Sequence, residues 1–264
     1  MKRVLVIGAN SYIGMKFKEY ILQIGEKDIT VDLVSALDGR WRQVDLSIYD
    51  VVLHLAAIVH IKESKDLEKI FYDINHKLAL EVAKKAKDAY VKQFIFMSTA
   101  SVFGLRTGCI TKDIVPNPVT FYGKSKLLAE RDIMKLYNED FRIAIVRPPI
   151  VYGKECRGNY ARLVKLAKYT LIFPEYHNKR SMLHIDTLSK YLAQLIKNGS
   201  SGYFHPQEAE YADICKMIVR MREETGKKTI LVSFFNNLIS FMVKKEIGIF
   251  QKIFGDLYYD RELV

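Results

Sequence analysis

The sequence of 264 residues is poor in cysteine, proline and tryptophan, with three, six and one respectively. Cys109, Cys156 and Cys215 stand far apart, and no C-x-x-C pair or Cys/His group has zinc spacing. A disulfide framework is therefore excluded, no metal is expected, and the thiols read as reduced ones in the cytoplasm. No apolar run reaches the roughly 20 residues that span a bilayer, so no transmembrane segment is expected. The N-terminal run Val4–Ile7 is too short for a signal sequence and leads straight into a glycine turn. The most apolar later stretch, Thr229–Val243, is interrupted by Ser233, Asn236, Asn237 and Ser240. It reads as a packed or amphipathic helix, with attachment to a membrane surface as the alternative. Internal repeats and low-complexity linkers are also missing.

What is present is the composition of an ordinary globular protein, 49% hydrophobic and 27% charged. Lysine and arginine outnumber the acids by 41 to 30, a net charge of +11. Such an excess points to an anionic partner: nucleic acid, a membrane surface or a phosphorylated small molecule. No arginine-rich helix or aromatic RNA motif supports nucleic acid.

Short β-branched runs alternate with longer helical patterns, which predicts βαβ units and a parallel sheet. Strands are expected at Lys2–Ile7, Ile29–Val34, Val44–Asp45, Val51–Ala56, Gln93–Ser98 and Ile143–Arg147. Helices are expected at 14–24, 73–89, 121–138, 159–169 and 186–197, and a helical tail from Tyr211 onward. Between the second strand and Val44 only Ser35–Gln43 intervene, too few for the usual crossover helix.

Directly after the first strand comes Gly8-Ala9-Asn10-Ser11-Tyr12-Ile13-Gly14. Glycines there let the backbone turn tightly toward a pyrophosphate lying at a helix N-terminus. Ser11 stands where a middle glycine is usual. The acid that would bind the ribose of NAD at the end of the second strand is absent or displaced, since Ser35-Ala36 occupy its place. Arg40 nearby would suit a 2′-phosphate, so NAD and NADP both stay open.

Tyr122 and Lys126 lie four residues apart on one helical face, where a cation beside a phenol favours the phenolate. Ser98 and Thr99 follow a predicted parallel strand, at the end where open α/β sheets bind ligands.

Taken in order, these motifs resemble the extended short-chain dehydrogenase/reductases of the NAD-dependent epimerase/dehydratase group. The resemblance runs from Lys2 to about Arg220. It also includes Asp45-Leu46, His54-Leu55-Ala56-Ala57, Arg147-Pro148-Pro149 with Val151-Tyr152-Gly153, and Arg180 ahead of His184-Ile185-Asp186.

The resemblance implies an α/β, Rossmann-type doubly wound sheet with a small C-terminal substrate-binding lobe. The dinucleotide domain would be 1–152 with 181–205 returning to it, and the lobe 153–180 and 206–264. It implies Tyr122 as general acid/base, Lys126 as its pKa-lowering and ribose-binding partner, and Thr99 holding the reacting oxygen, with Ser98 as a neighbouring or substitute hydroxyl. Gly8, Asn10, Ser11, Tyr12, Ile13, Gly14, Asp45, Leu46, Leu55, Ala56, Ala57, Asn75 and Pro148 would line the cofactor. Arg180, helped by Asn159, would hold the substrate diphosphate together with Thr99. His60 could face the sugar, although a surface histidine is the plainer reading, and His184 suits a structural role.

The related 4,6-dehydratases carry Asp-Glu after the catalytic threonine, where this chain has Ala100-Ser101. No dehydratase activity is therefore expected. What remains is a 4-epimerase with bound NAD acting on a UDP-hexose or UDP-N-acetylhexosamine, or an NAD(P)H-dependent 4-ketosugar reductase of surface polysaccharide biosynthesis. A non-catalytic dinucleotide-binding protein is a third reading. A homodimer through the helices at 73–89 and 121–138 is expected by analogy. Relatives follow a segment resembling Phe254–Asp260 with one more short stretch and a helix.

Overall fold

The computed structural model describes residues 1–59, 61, 63–156 and 158–263, without the side chain of Asn159. The chain divides into two compact units. The first comprises Met1–Gly104, Val115–Pro148 and His184–Pro206, and the second Leu105–Ile114, Pro149–Leu183 and Gln207–Val264.

The first unit is built on a six-stranded parallel sheet. Its order is Gly202–Phe204, Arg142–Val146, Gln93–Met97, Val51–His54, Lys2–Ile7 and Ile29–Val34. The register places Val4 beside both Val31 and Val51, Val51 beside Gln93, and Gln93 beside Arg142. The two central strands, Val51–His54 and Gln93–Met97, are buried throughout. That explains why they read as continuous apolar runs rather than alternating ones.

One face packs Leu5, Val52, Phe94 and Ile143 against Ala79, Val82 and Ala86 of one helix and Ala129 and Ile133 of another. Small residues on these helices allow a close approach to the sheet. Helix Tyr12–Gln23 packs against Ile185–Asn198. His184 caps the latter, its Nδ1 accepting from the Asp186 amide at 3.3 Å.

One expectation is corrected here. Val44–Asp45 forms no strand, and a short 3₁₀ turn, Arg40–Gln43, is the whole connection to Val51–His54 apart from loop. Trp41, 1% exposed, anchors that turn, and the Lys85 ammonium binds the carbonyls of Trp41 at 3.3 Å and Val44 at 2.8 Å. Backbone groups that a strand would have paired are thus partly met by a side chain. The sequence reading also passed over Gly202–Phe204, a three-residue edge strand too short to show a period.

The second unit contains helices Asn159–Tyr169, Ile214–Glu223, Asn236–Lys244 and Gly248–Phe254. Two parallel strand pairs accompany them, Ile172–Pro174 with Ile230–Val232 and Gly108–Ile110 with Leu257–Tyr259. Its core gathers Phe173, Met182, Ile214, Ile218 and Phe254. Among the described residues no helix is long and apolar enough to cross a membrane.

Candidate functional site

The glycine loop closes the first strand onto the first helix. Gly8 has φ 125°, and a Cβ there would come within 3.1 Å of the Ala56 amide nitrogen. Only glycine lets the two strand ends approach this closely. Ser11 has a specific job where the middle glycine is usual: it is the N-cap of Tyr12–Gln23, its hydroxyl accepting from the Gly14 amide at 3.0 Å. Gly14 packs where a Cβ would meet Ser11 Oγ at 2.7 Å and Val6 at 3.1 Å. A left-handed glycine, a strand end and a capped helix N-terminus form a cradle suited to a pyrophosphate. Leu55 and Ala56, both buried, and the partly exposed Ala57 lie where the neighbouring strand ends.

The helix Phe121–Met134 carries Tyr122 at its second residue, and its N-terminus is held by two side chains. Thr120 Oγ1 accepts from the Gly123 amide at 3.0 Å, and the Glu63 carboxylate accepts from the amides of Phe121 at 2.9 Å and Tyr122 at 3.0 Å. The carboxylate also complements the positive end of the helix dipole. Glu63 was not singled out from the sequence, because it lies 59 residues from the amide it caps. Gly123 lets the helix pass the next loop, since a Cβ there would sit 2.8 Å from the Ser101 carbonyl.

Burial pushes the Tyr122 hydroxyl up to about 12, and a hydrogen bond with the Thr99 side chain pulls it down. Thr99 Oγ1 also accepts from the Ser101 amide at 3.1 Å, which fixes its rotamer at the start of the turn Ala100–Phe103. Tyr122 and Thr99, named separately from the sequence, are thus brought into contact.

Lys126 is 1% exposed; its ammonium donates to the Met97 carbonyl at 2.7 Å and lies 4.4 Å from the centroid of the Phe96 ring. Burial pulls the lysine down to about 7, while the Glu130 charge pulls upward. Lys126 is not among the influences on the Tyr122 hydroxyl here, although the sequence pairs them.

Ser98 donates to Glu130 in a short buried hydrogen bond, so its proton is committed within the protein. Glu130, fully buried, also takes Arg147 in a fork, with Nη2 at 2.6 Å and Nε at 3.0 Å. The guanidinium lies between Tyr203 at 4.5 Å and Phe103 at 5.2 Å. This arrangement fastens the helix to the end of strand Arg142–Val146, a link between distant residues that sequence spacing does not reveal. Nearby, His54 is fully buried beneath the site, and burial first, then the Lys126 charge, lowers it to about 3.

Asn75 sits inside a π-helical turn, Asp73–Leu78, and is fully buried. Its Oδ1 accepts from the Ile58 amide at 2.8 Å, while Nδ2 donates to the Ile58 carbonyl and to Ser125 Oγ, each at 3.2 Å. Ser125 in turn donates to the Tyr122 carbonyl at 2.9 Å. Asn75 therefore ties the Leu55–Ile58 segment to the tyrosine helix. The extra residue of a π turn is a common device for aiming such a side chain.

The remaining residues divide. Leu46 is buried, whereas exposed Asp45 accepts from the Ser47 amide and hydroxyl at 2.9 and 2.7 Å. Asn10 is exposed, while Tyr12 and Ile13 are half-buried. Arg40 is ion-paired with Asp38 at 2.5 Å. Pro148 is buried, and its carbonyl accepts from the Ala100 amide at 3.0 Å.

In the second unit, Arg180 is 5% exposed and donates to the Gly255 carbonyl at 2.8 Å. Burial lowers this guanidinium, and Asp256 pulls the other way. His60 and the Asn159 side chain lie outside the described residues. His177, Asp213 and Cys215 come within 4.8 Å of one another. Asp213 there lies within hydrogen-bond distance of His177 Nδ1, at 2.7 Å, and caps Ile214–Glu223 through the Lys216 amide, which gives it a structural task.

A doubly wound parallel sheet with a glycine cradle after its first strand and a Tyr-x-x-x-Lys helix defines a dinucleotide-binding class. The family model described as NAD dependent epimerase/dehydratase family matches residues 4–203, and the chain belongs to that family. It is 35% identical over 147 residues to a UDP-glucose 4-epimerase of Vibrio cholerae, covering 52% of this chain and 45% of the relative. An N-acetyl-alpha-D-glucosaminyl-diphospho-ditrans,octacis-undecaprenol 4-epimerase of Escherichia coli O157:H7 is 26% identical over 217 residues, 76% of this chain and 65% of the relative. The matches thus span less than two thirds of either relative's length. Among solved structures, the UDP-glucuronic acid 4-epimerase of Bacillus cereus, in complex with NAD, shares the fold. It has a TM-score of 0.70, 20% identity, and 87% and 85% coverage of the two chains.

Proposed function

We propose that this protein is a nucleotide-sugar 4-epimerase acting on a UDP-hexose or UDP-N-acetylhexosamine, with NAD held by the parallel-sheet unit and the second unit serving the sugar nucleotide. The observation that carries the reading is the Tyr122 phenol beside the Thr99 side chain at the carboxyl end of a parallel strand, with Lys126 one turn further along. The 4-epimerases among its relatives support the stereochemical outcome.

The nicotinamide, when bound, would accept and return a hydride. Gly8–Gly14 would hold the pyrophosphate against the helix N-terminus, and Leu55–Ala57 would flank the dinucleotide. Thr99 would hold the C4 oxygen while Tyr122 takes its proton and later gives it back. In this structure Tyr122 keeps its proton, and Lys126 is spent on the Met97 carbonyl. The Lys126 ammonium, one helical turn from Tyr122, would favour the phenolate by its charge. Ser98, committed to Glu130, takes no part in proton transfer. The turn Ala100–Phe103 offers no carboxyl group at the dehydratase positions, so water elimination has no acid or base.

Product NMR with UDP-glucose and UDP-N-acetylglucosamine, with and without NADPH, tests the reading. C4 epimers formed without added NADPH support it. Strictly NADPH-dependent turnover of a 4-ketosugar with no epimerisation would make the enzyme a reductase, and a 4-keto-6-deoxy product would make it a dehydratase.

A further inference from the structure

Thr229–Val243, expected as one packed or amphipathic helix, instead forms the strand Ile230–Val232 and then the helix Asn236–Lys244. Ile239, 3% exposed, faces the second unit's core. Away from it, Leu238 and Phe241 on the helix and Phe234 in the turn before it are 54%, 54% and 87% exposed. Ile249, just beyond, is 64% exposed. Such a stripe is unusual on a monomer surface, where large contiguous apolar patches generally mark a binding face.

Its surroundings indicate what covers it. Between residues 227 and 252 the only charged side chains are Lys227, Lys228, Lys244, Lys245, Lys252 and a single acid, Glu246. All five lysines are exposed, and the Lys245 ammonium lies 5.7 Å from the Phe241 ring centroid, at the edge of the stripe. Exposed phenylalanine and leucine bordered by lysine is the pattern of helices that lie in the headgroup region of anionic membranes. Two copies meeting through this face would instead bring like charges together.

We propose that this stripe docks the second unit onto an anionic lipid surface, with Phe234, Leu238 and Phe241 entering the headgroup layer and Lys244 and Lys245 meeting lipid phosphates. The docking is independent of the catalytic reading: it needs neither cofactor nor sugar and involves none of the residues assigned to the reaction.

The test is flotation of the full-length protein with vesicles of phosphatidylcholine alone or containing phosphatidylglycerol at about one third. Binding to the anionic vesicles that falls in high salt is expected, because surface attraction is screened. Each lysine contributes about fivefold in partitioning, so Lys244→Glu/Lys245→Glu should weaken binding at least ~tenfold. The triple variant Phe234→Ser/Leu238→Ser/Phe241→Ser should abolish it while sugar-nucleotide turnover in solution persists. Equal binding to both vesicle types, or none to either, would overturn the proposal. So would a dimer in light scattering that the serine variant dissociates without any vesicle binding by the parent protein.

Discussion

At Lys126 the two requirements on one side chain conflict. The proposed catalysis calls for an ammonium near Tyr122, yet burial holds the group at about 7, and its hydrogen bond goes to Met97. An unfolded lysine titrates near 10.4. Between pH 7 and that value the unfolded chain keeps a proton that the folded one releases, so this group makes stability rise with pH, by up to about 1.4 kcal/mol per pH unit. Tyr122, raised to about 12, acts in the opposite sense, but only above its unfolded value near 10. Urea unfolding from pH 7 to 9.5 should therefore show a rise that Lys126→Met flattens. Parallel curves for the two proteins would contradict the assignment. The Tyr122 and Lys126 pair was legible because four-residue spacing maps onto one helical face. The Glu130–Arg147 fork and the diversion of Ser98 were not, since they depend on which strand end the helix crosses.

Among the elements, the long helices and central strands could be read from the sequence, because a buried parallel sheet leaves unbroken runs such as Gln93–Met97. Val44–Asp45 misled for a physical reason: Val44 packs on the core cluster, as a strand residue would, but Lys85 binds the carbonyls that a neighbouring strand would otherwise need to satisfy. The π turn around Asn75 gives no periodic signal, being a single extra residue. The tyrosine helix is the element on which the site depends, and its N-terminus passes too close to Ser101 to admit a side chain at Gly123. Gly123→Ala should cost about 1–3 kcal/mol through overpacking. It should also lower turnover, because the shift falls beside Tyr122. Differential scanning calorimetry with a rate assay checks both, and an unchanged Tm with full activity would show that the contact is relaxed at no cost.

For the whole molecule, the charge of +11 raised three anionic partners at once. Two have proposed places, a pyrophosphate at the glycine cradle and a lipid surface at the lysine-bordered stripe of the second unit. Family membership follows from the match over residues 4–203, while the proposed reaction rests on Tyr122. Replacing Tyr122 with Phe removes the proposed proton carrier and its interaction with Thr99, and leaves the cradle, the helix caps and the Asn75 clasp untouched. The most direct measurement is therefore paired: epimerisation rate by NMR and dinucleotide affinity by fluorescence titration, for the parent protein and Tyr122→Phe. The account predicts a rate loss of about a hundredfold or more, as for removal of a general acid/base, with affinity changed less than about threefold. A variant that epimerises at the parent rate would contradict it.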